Sequence, residues 1–110
     1  MKLELEKQHG LNVVTIREPR VDAHNSAELK DYLAQLIESG ENRILVQLAE
    51  VRFIDSSGLG ALLSAYKRTA ADAGQFALSN VQPQVLSMFE ITRLNRVFEI
   101  YADAKDVAPN

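Results

Sequence analysis

Apolar and polar positions along the chain change period several times, and each change marks an element. Leu3 and Leu5 alternate with charged residues over residues 2–6, and residues 11–17 are rich in β-branched side chains. Gly10, at the end of the intervening stretch 7–10, supplies a turn, so the pair predicts a β-hairpin. The period then becomes helical. Leu29, Leu33, Leu36 and Ile37 fall at i, i+4, i+7 and i+8, one stripe of a helix. Asn25 or Ser26 is its expected cap, Glu28 suits its first turn, and Gly40 stands just past its end. Residues 43–48 (RILVQL) form a nearly continuous apolar run, as in a strand covered on both faces.

Phe53 and Ile54 lead into a second helix, where Leu59, Leu62, Leu63 and Tyr66 repeat at i, i+3, i+4 and i+7 until Gly74. A short strand is predicted at 75–80 (QFALSN). Pro83 then suits the first turn of a third helix carrying Val85, Leu86 and Phe89 inward. Residues 97–101 (VFEIY) read as a last strand, and the tail to Asn110 as a short helix or frayed end. The succession implies a single α/β domain over residues 1–110, with helices packed against a mixed, mostly parallel sheet of four to five strands.

Bulk properties narrow the function. The 110 residues carry a formal net charge of −3, which gives no reason to expect nucleic-acid binding. There is no cysteine, so disulfide and thiolate chemistry are excluded. The N-terminus has no signal-peptide character, and no apolar run approaches the ~18 residues of a membrane span. The expectation is a cytoplasmic protein, monomeric or weakly dimeric, without a membrane partner, metal or cofactor. His9 and His24 read as solvated loop residues, and Tyr66 and Phe89 as core.

The stretch from Phe53 to Arg68, FIDSSGLGALLSAYKR, packs an acid, two hydroxyls and two glycines into a strand-to-helix junction. Such junctions line the sites of open parallel sheets. Taken alone, Asp-Ser-Ser-Gly most often serves as a helix cap. The glycines Gly58 and Gly60 bare the backbone, which would let another molecule approach closely. A serine-hydrolase elbow does not fit, since Ile54 stands where G-x-S-x-G needs its first glycine and both histidines precede the serine. A phosphate loop does not fit either, because no lysine follows Gly60 until Lys67. The chain lacks the parts for hydrolysis, and no enzyme activity is expected.

The whole stretch VRFIDSSGLGALLSAYKR resembles the phosphorylation segment of anti-sigma-factor antagonists of the STAS domain family. VDAHNSAEL matches the loop that opens that family's first helix, with Asp22 at its recurrent aspartate. RILVQL, AEVRF and TRLNRVFEIY match in place and spacing. The chain departs at Glu18-Pro19-Arg20, where a glycine-containing turn is common, and at Asn95, where an aspartate is. The resemblance implies a STAS-like fold and a partner-switching role. An anti-sigma factor that is itself a serine kinase binds the unphosphorylated form, phosphorylation of Ser56 releases it, and a serine phosphatase resets it. Ser57 would then cap the helix, while Asp22, Asn25, Asp55, Ser57, Gly58, Leu59 and Gly60 would form the partner or kinase surface. The alternative is a STAS scaffold or accessory subunit of a transporter or signalling complex, without a phosphoswitch.

Overall fold

The computed structural model describes residues 1–107. Strands β1 (Leu3–Gln8) and β2 (Leu11–Ile16) form the expected antiparallel hairpin. Its turn is His9-Gly10, with φ of 52° and 81°. Positive φ at both positions is the type I′ geometry, whose twist matches that of the flanking strands. Helix α1 (Ser26–Glu38) follows a two-residue strand β3 (Arg20–Val21) that the residue pattern did not reveal. Strand β4 (Arg43–Gln47), strand β5 (Phe53–Ile54), helix α2 (Ser56–Ala71), strand β6 (Gln75–Ser79) and helix α3 (Pro83–Ile91) come next.

The last strand, β7 (Glu99–Tyr101), starts two residues later than the pattern VFEIY predicts. Arg93 takes a left-handed conformation (φ 63°), and Leu94–Arg96 closes a 3-10 turn that consumes the chain before it can extend. Phe98 is apolar because its ring enters the core, not because it joins the ladder.

The main sheet has the order β1-β2-β4-β6-β7, parallel except for β1. All three helices bury the same face. Val14, Ile16, Ile44, Val46, Phe76 and Leu78 from the strands meet Leu29, Leu33 and Ile37 of α1, Ala61, Leu62 and Ala65 of α2, and Val85 and Phe89 of α3. Leu36, Leu63, Tyr66 and Leu86 lie only half-buried at the margins of these stripes. On the opposite face Leu11, Val13, Leu45 and Ala77 pack against Val107, which follows a 3-10 turn at Ala104–Asp106. That segment lets β4 be buried on both faces, as its continuous apolar run requires. The tail beyond residue 107, read above as a short helix or frayed end, lies outside the described residues. Strands β3 and β5 pair separately as a parallel two-stranded ribbon.

Phe98 ties the far end of this core together. Its ring meets those of Tyr66 and Phe89 edge to face, each at 5.7 Å between centroids, and Phe76 at a tilt. Replacing it with alanine opens a ring-sized cavity beneath α2 and α3. Phe98→Ala is therefore expected to lower unfolding stability by about 3–5 kcal/mol in urea titrations, with the denaturant slope unchanged.

Candidate functional site at the N-terminus of helix α2

The site forms because the β3–β5 ribbon ends where α2 begins. Val21 pairs with Ile54, and the Asp55 N–H donates to the Val21 carbonyl at 3.2 Å. Asp55 is still extended (φ −107°, ψ −175°), while its carbonyl already accepts the Leu59 N–H at 3.0 Å. It is the N-cap. Its Oδ1 accepts the Ser57 N–H at 2.9 Å, the Gly58 N–H at 3.1 Å and the Ser57 hydroxyl at 2.6 Å. Two of the first-turn amides, which a helix cannot satisfy from within, are thereby paired.

This corrects the expectation that Ser57 caps the helix. The extended residue at a strand-to-helix junction is the one before the first helical residue, and here that is the aspartate. The Ser57 hydroxyl instead props the capping carboxylate. These donors, the Ser57 hydroxyl foremost and then the amides of Gly58, Ser57 and Ala23, hold the Asp55 carboxyl below the ordinary carboxylate range.

Ser56 is the first helical residue and is exposed, and its hydroxyl has no partner among the described residues. One turn on, Gly60 shares its outward face, with open space where a Cβ would stand. The surface beside the Ser56 hydroxyl is flat. Gly58 and Leu59 face the other way, and both are buried. A Cβ on Gly58 would come within 2.9 Å of Ile54 Cγ1, the Val21 carbonyl oxygen and Val21 Cγ1. Gly58 is bare so that α2 can lie on its own ribbon, which corrects the reading that its bareness serves an approaching molecule.

Asp22 and Asn25 arrive at the same edge, because β3 and β5 run parallel into their respective helices. Asn25 occupies the N-cap position of α1 but does not cap with its side chain. Its Oδ1 accepts the Asp22 N–H at 2.9 Å, and its Nδ2 donates to the Arg20 carbonyl at 2.8 Å. The Asp22 carboxylate accepts the His24 N–H at 3.0 Å. Both side chains stiffen the loop, and the backbone of Ala23 between them reaches the Asp55 carboxylate.

Two residues outside the predicted set belong to this edge. Phe53 is 40% exposed, and the Arg20 guanidinium lies 4.2 Å from its ring centroid. The pattern placed Phe53 only as strand lead-in. Its signal was that a large aromatic in a two-residue edge strand has little sheet to bury it.

Fold and site together define a single α/β domain with an unengaged, exposed hydroxyl at the start of an acid-capped helix. The chain matches the STAS domain family model over residues 2–107 and belongs to that family. It is 29% identical over 103 residues to an anti-sigma F factor antagonist of Paenibacillus polymyxa, spanning 92% of this chain and 88% of that one. Among solved structures, an anti-sigma-factor antagonist (STAS) domain protein of Planctomyces limnophilus is similar in fold, with a TM-score of 0.87, 20% identity, and coverage of 94% and 92%. The Bacillus cell fate determinant SpoIIAA in its phosphorylated form has a TM-score of 0.74 at 22% identity, covering 96% and 95%. No helix among the described residues is long and apolar enough to cross a membrane.

The capping carboxylate sets a pH dependence. Its folded pKa is depressed, so its contribution is fully present above the unfolded value of about 3.9 and is lost as pH falls through the folded value. Asp55→Asn keeps a capping oxygen without the charge. Its thermal midpoint should fall less than the wild-type midpoint does between pH 5 and pH 2. Asp55→Ala removes the cap and should lower the midpoint by about 4–8 °C at pH 7. Thermal melts followed by circular dichroism across that range check both.

Proposed function

We propose that the chain is an anti-sigma-factor antagonist that works by partner switching. Unphosphorylated, it binds an anti-sigma factor with serine-kinase activity. Phosphorylation of Ser56 dissociates that complex, and a serine phosphatase restores it. The observation that carries the reading is the division of labour between neighbouring hydroxyls. Ser57 is half-buried and donates into the Asp55 carboxylate, whereas Ser56 projects unengaged into solvent. A kinase can reach Ser56 without disturbing the cap. The similarity to a relative named as an anti-sigma F factor antagonist supports the partner class.

The switch follows from where the charge falls. A phosphate adds about −1.5 to −2 charges and three acceptor oxygens. At the start of a helix the exposed amide dipoles favour an anion by about 0.3–1 kcal/mol, so the fold tolerates it. Beneath a docked partner the same dianion loses its water beside the ionised Asp55. Turning a 99:1 complex into 1:99 takes about 5.5 kcal/mol, and an unpaired desolvated dianion is of that order. Gly60 leaves the flat surface on which a partner rests, and Asp22 and Asn25 shape its rim. Phe53 and Arg20, types enriched at protein interfaces, stand at its border. Gly58 and Leu59 act from inside by seating the helix.

The test uses the purified chain with its co-purifying kinase and ATP. Ser56→Ala should take up no phosphate by intact-mass measurement and bind constitutively, while Ser57→Ala remains a substrate. Ser56→Asp should bind at least ten-fold more weakly by calorimetry with its thermal midpoint within a few degrees of wild type, since one carboxylate carries less charge than phosphate. Phosphate on Ser57 in place of Ser56, or a fully retained affinity in Ser56→Asp, would overturn the reading. A chain that is never phosphorylated yet co-purifies with a transporter would favour the scaffold role instead.

A further inference from the structure

At the opposite end of the sheet lies a second exposed surface that the Ser56 switch does not use. Strands β2, β4, β6 and β7 run parallel and the helices run back against them, so α2 starts at the carboxyl end of the sheet and α3 finishes at the amino end. Tyr66, ten residues along α2 from Ser56 and so about 15 Å from it, meets Phe98 at the end of the corner between α3 and β7. That corner reads Ile91-Thr92-Arg93-Leu94-Asn95-Arg96-Val97.

Three observations converge there. Ile91 is 77% exposed, more than any other large apolar side chain among the described residues, and Val97 at the other end of the corner is exposed as well. Arg93 and Arg96 are both exposed, and neither is within ion-pair distance of a carboxylate among the described residues. The nearby Glu99 carboxylate accepts the Tyr101 hydroxyl instead. The turn that joins the two arginines is closed by the Arg96 N–H, which donates to the Arg93 carbonyl at 3.2 Å.

The corner is also rigid. Phe89 before it and Phe98 after it are buried and meet edge to face. Within it, the Thr92 hydroxyl donates to the Met88 carbonyl at 2.7 Å, and the Val97 and Phe98 N–H groups both donate to Leu94 at 3.0 Å. Arg93 is held at φ 63°, a conformation unfavourable for a long side chain and one that surrounding contacts must impose. A preorganised backbone at the corner lowers the ordering cost of binding.

We infer that this corner is a docking surface for an acidic segment of a second protein, with a bulky apolar residue flanked by carboxylates. Charge complementarity selects that occupant. Membrane recruitment by anionic lipid uses clusters of about 4–8 basic residues. Here two arginines stand on a chain of net charge −3, which an anionic bilayer repels. Because the corner lies beyond Tyr66, about 15 Å along α2 from Ser56, its occupancy does not depend on the phosphorylation state. The domain can stay tethered to one protein while its other end exchanges partners.

The experiment replaces the exposed Asn95 with photoreactive p-benzoylphenylalanine in the full chain, leaving Ile91, Arg93, Arg96 and Val97 in place. The protein is irradiated in its own cells and the attached segment is mapped by mass spectrometry. The expected result is one protein segment rich in Asp and Glu around a Leu, Ile or Phe. Its yield should fall at least ten-fold in Arg93→Glu/Arg96→Glu and in Ile91→Ser, and persist in Ser56→Asp. Melting midpoints of the variants within a few degrees of wild type show that the surface, not the fold, was changed. Attachment to lipid, to a second copy of the chain or to a basic segment overturns the inference. So does a yield no higher than from the same photoreactive residue at the exposed Lys30, or one insensitive to the charge reversals.

Discussion

The Asp55 carboxylate decides where strand ends and helix begins, and much of the domain depends on that point. A helix start leaves several amide N–H groups without intrahelical partners. Here one carboxylate oxygen collects those of Ser57 and Gly58 together with the Ser57 hydroxyl. Because Asp55 also donates its own N–H to Val21, the first turn of α2 is locked to the β3–β5 ribbon. Gly58 then permits the close seating, with no side chain to strike Val21 or Ile54. Ser56 is left as the first residue with helical geometry and no internal duty.

If Ser56 is phosphorylated as proposed, this arrangement reconciles two demands on such a residue. A phosphoacceptor must be reachable, which argues for a loop. It must also be held in a fixed position for a partner to read its state, which argues for regular structure. The first position of a helix meets both, since its hydroxyl points outward while its backbone is pinned by a neighbour's cap. In the proposed switch the domain core would need no rearrangement, because a charge on Ser56 would act on whatever lies over the strip from Ser56 to Gly60.

The parallel topology also separates the two surfaces in space. Helix starts gather at the carboxyl end of the sheet, where Ser56, Asp22 and Phe53 meet through the β3–β5 ribbon. Helix ends and the amino end of β7 gather at the other, where the Phe89–Phe98 contact holds the Ile91–Val97 corner rigid. The helices and the aromatic cluster are packed between the two surfaces.

By itself the amino-acid sequence determined the elements with a clear period. The hairpin, the Leu29–Leu33–Ile37 stripe, the second helix and the Pro83 start of the third were legible because amphipathic spacing is local and strong. It also singled out the Asp-Ser-Ser-Gly junction, since so many polar and bare residues in one place exceed what a cap needs. Only the tertiary structure decided how those residues divide their work. Whether Asp55 or Ser57 caps turns on a single backbone conformation, and composition is the same either way. Whether Gly58 faces a partner or its own ribbon depends on β3, a two-residue strand too short to carry a period. The start of β7 was misjudged for a related reason. Val97 and Phe98 read as strand because they are apolar, yet Phe98 is buried by three rings remote in sequence and Val97 is left in solvent, outcomes that long-range packing alone determines.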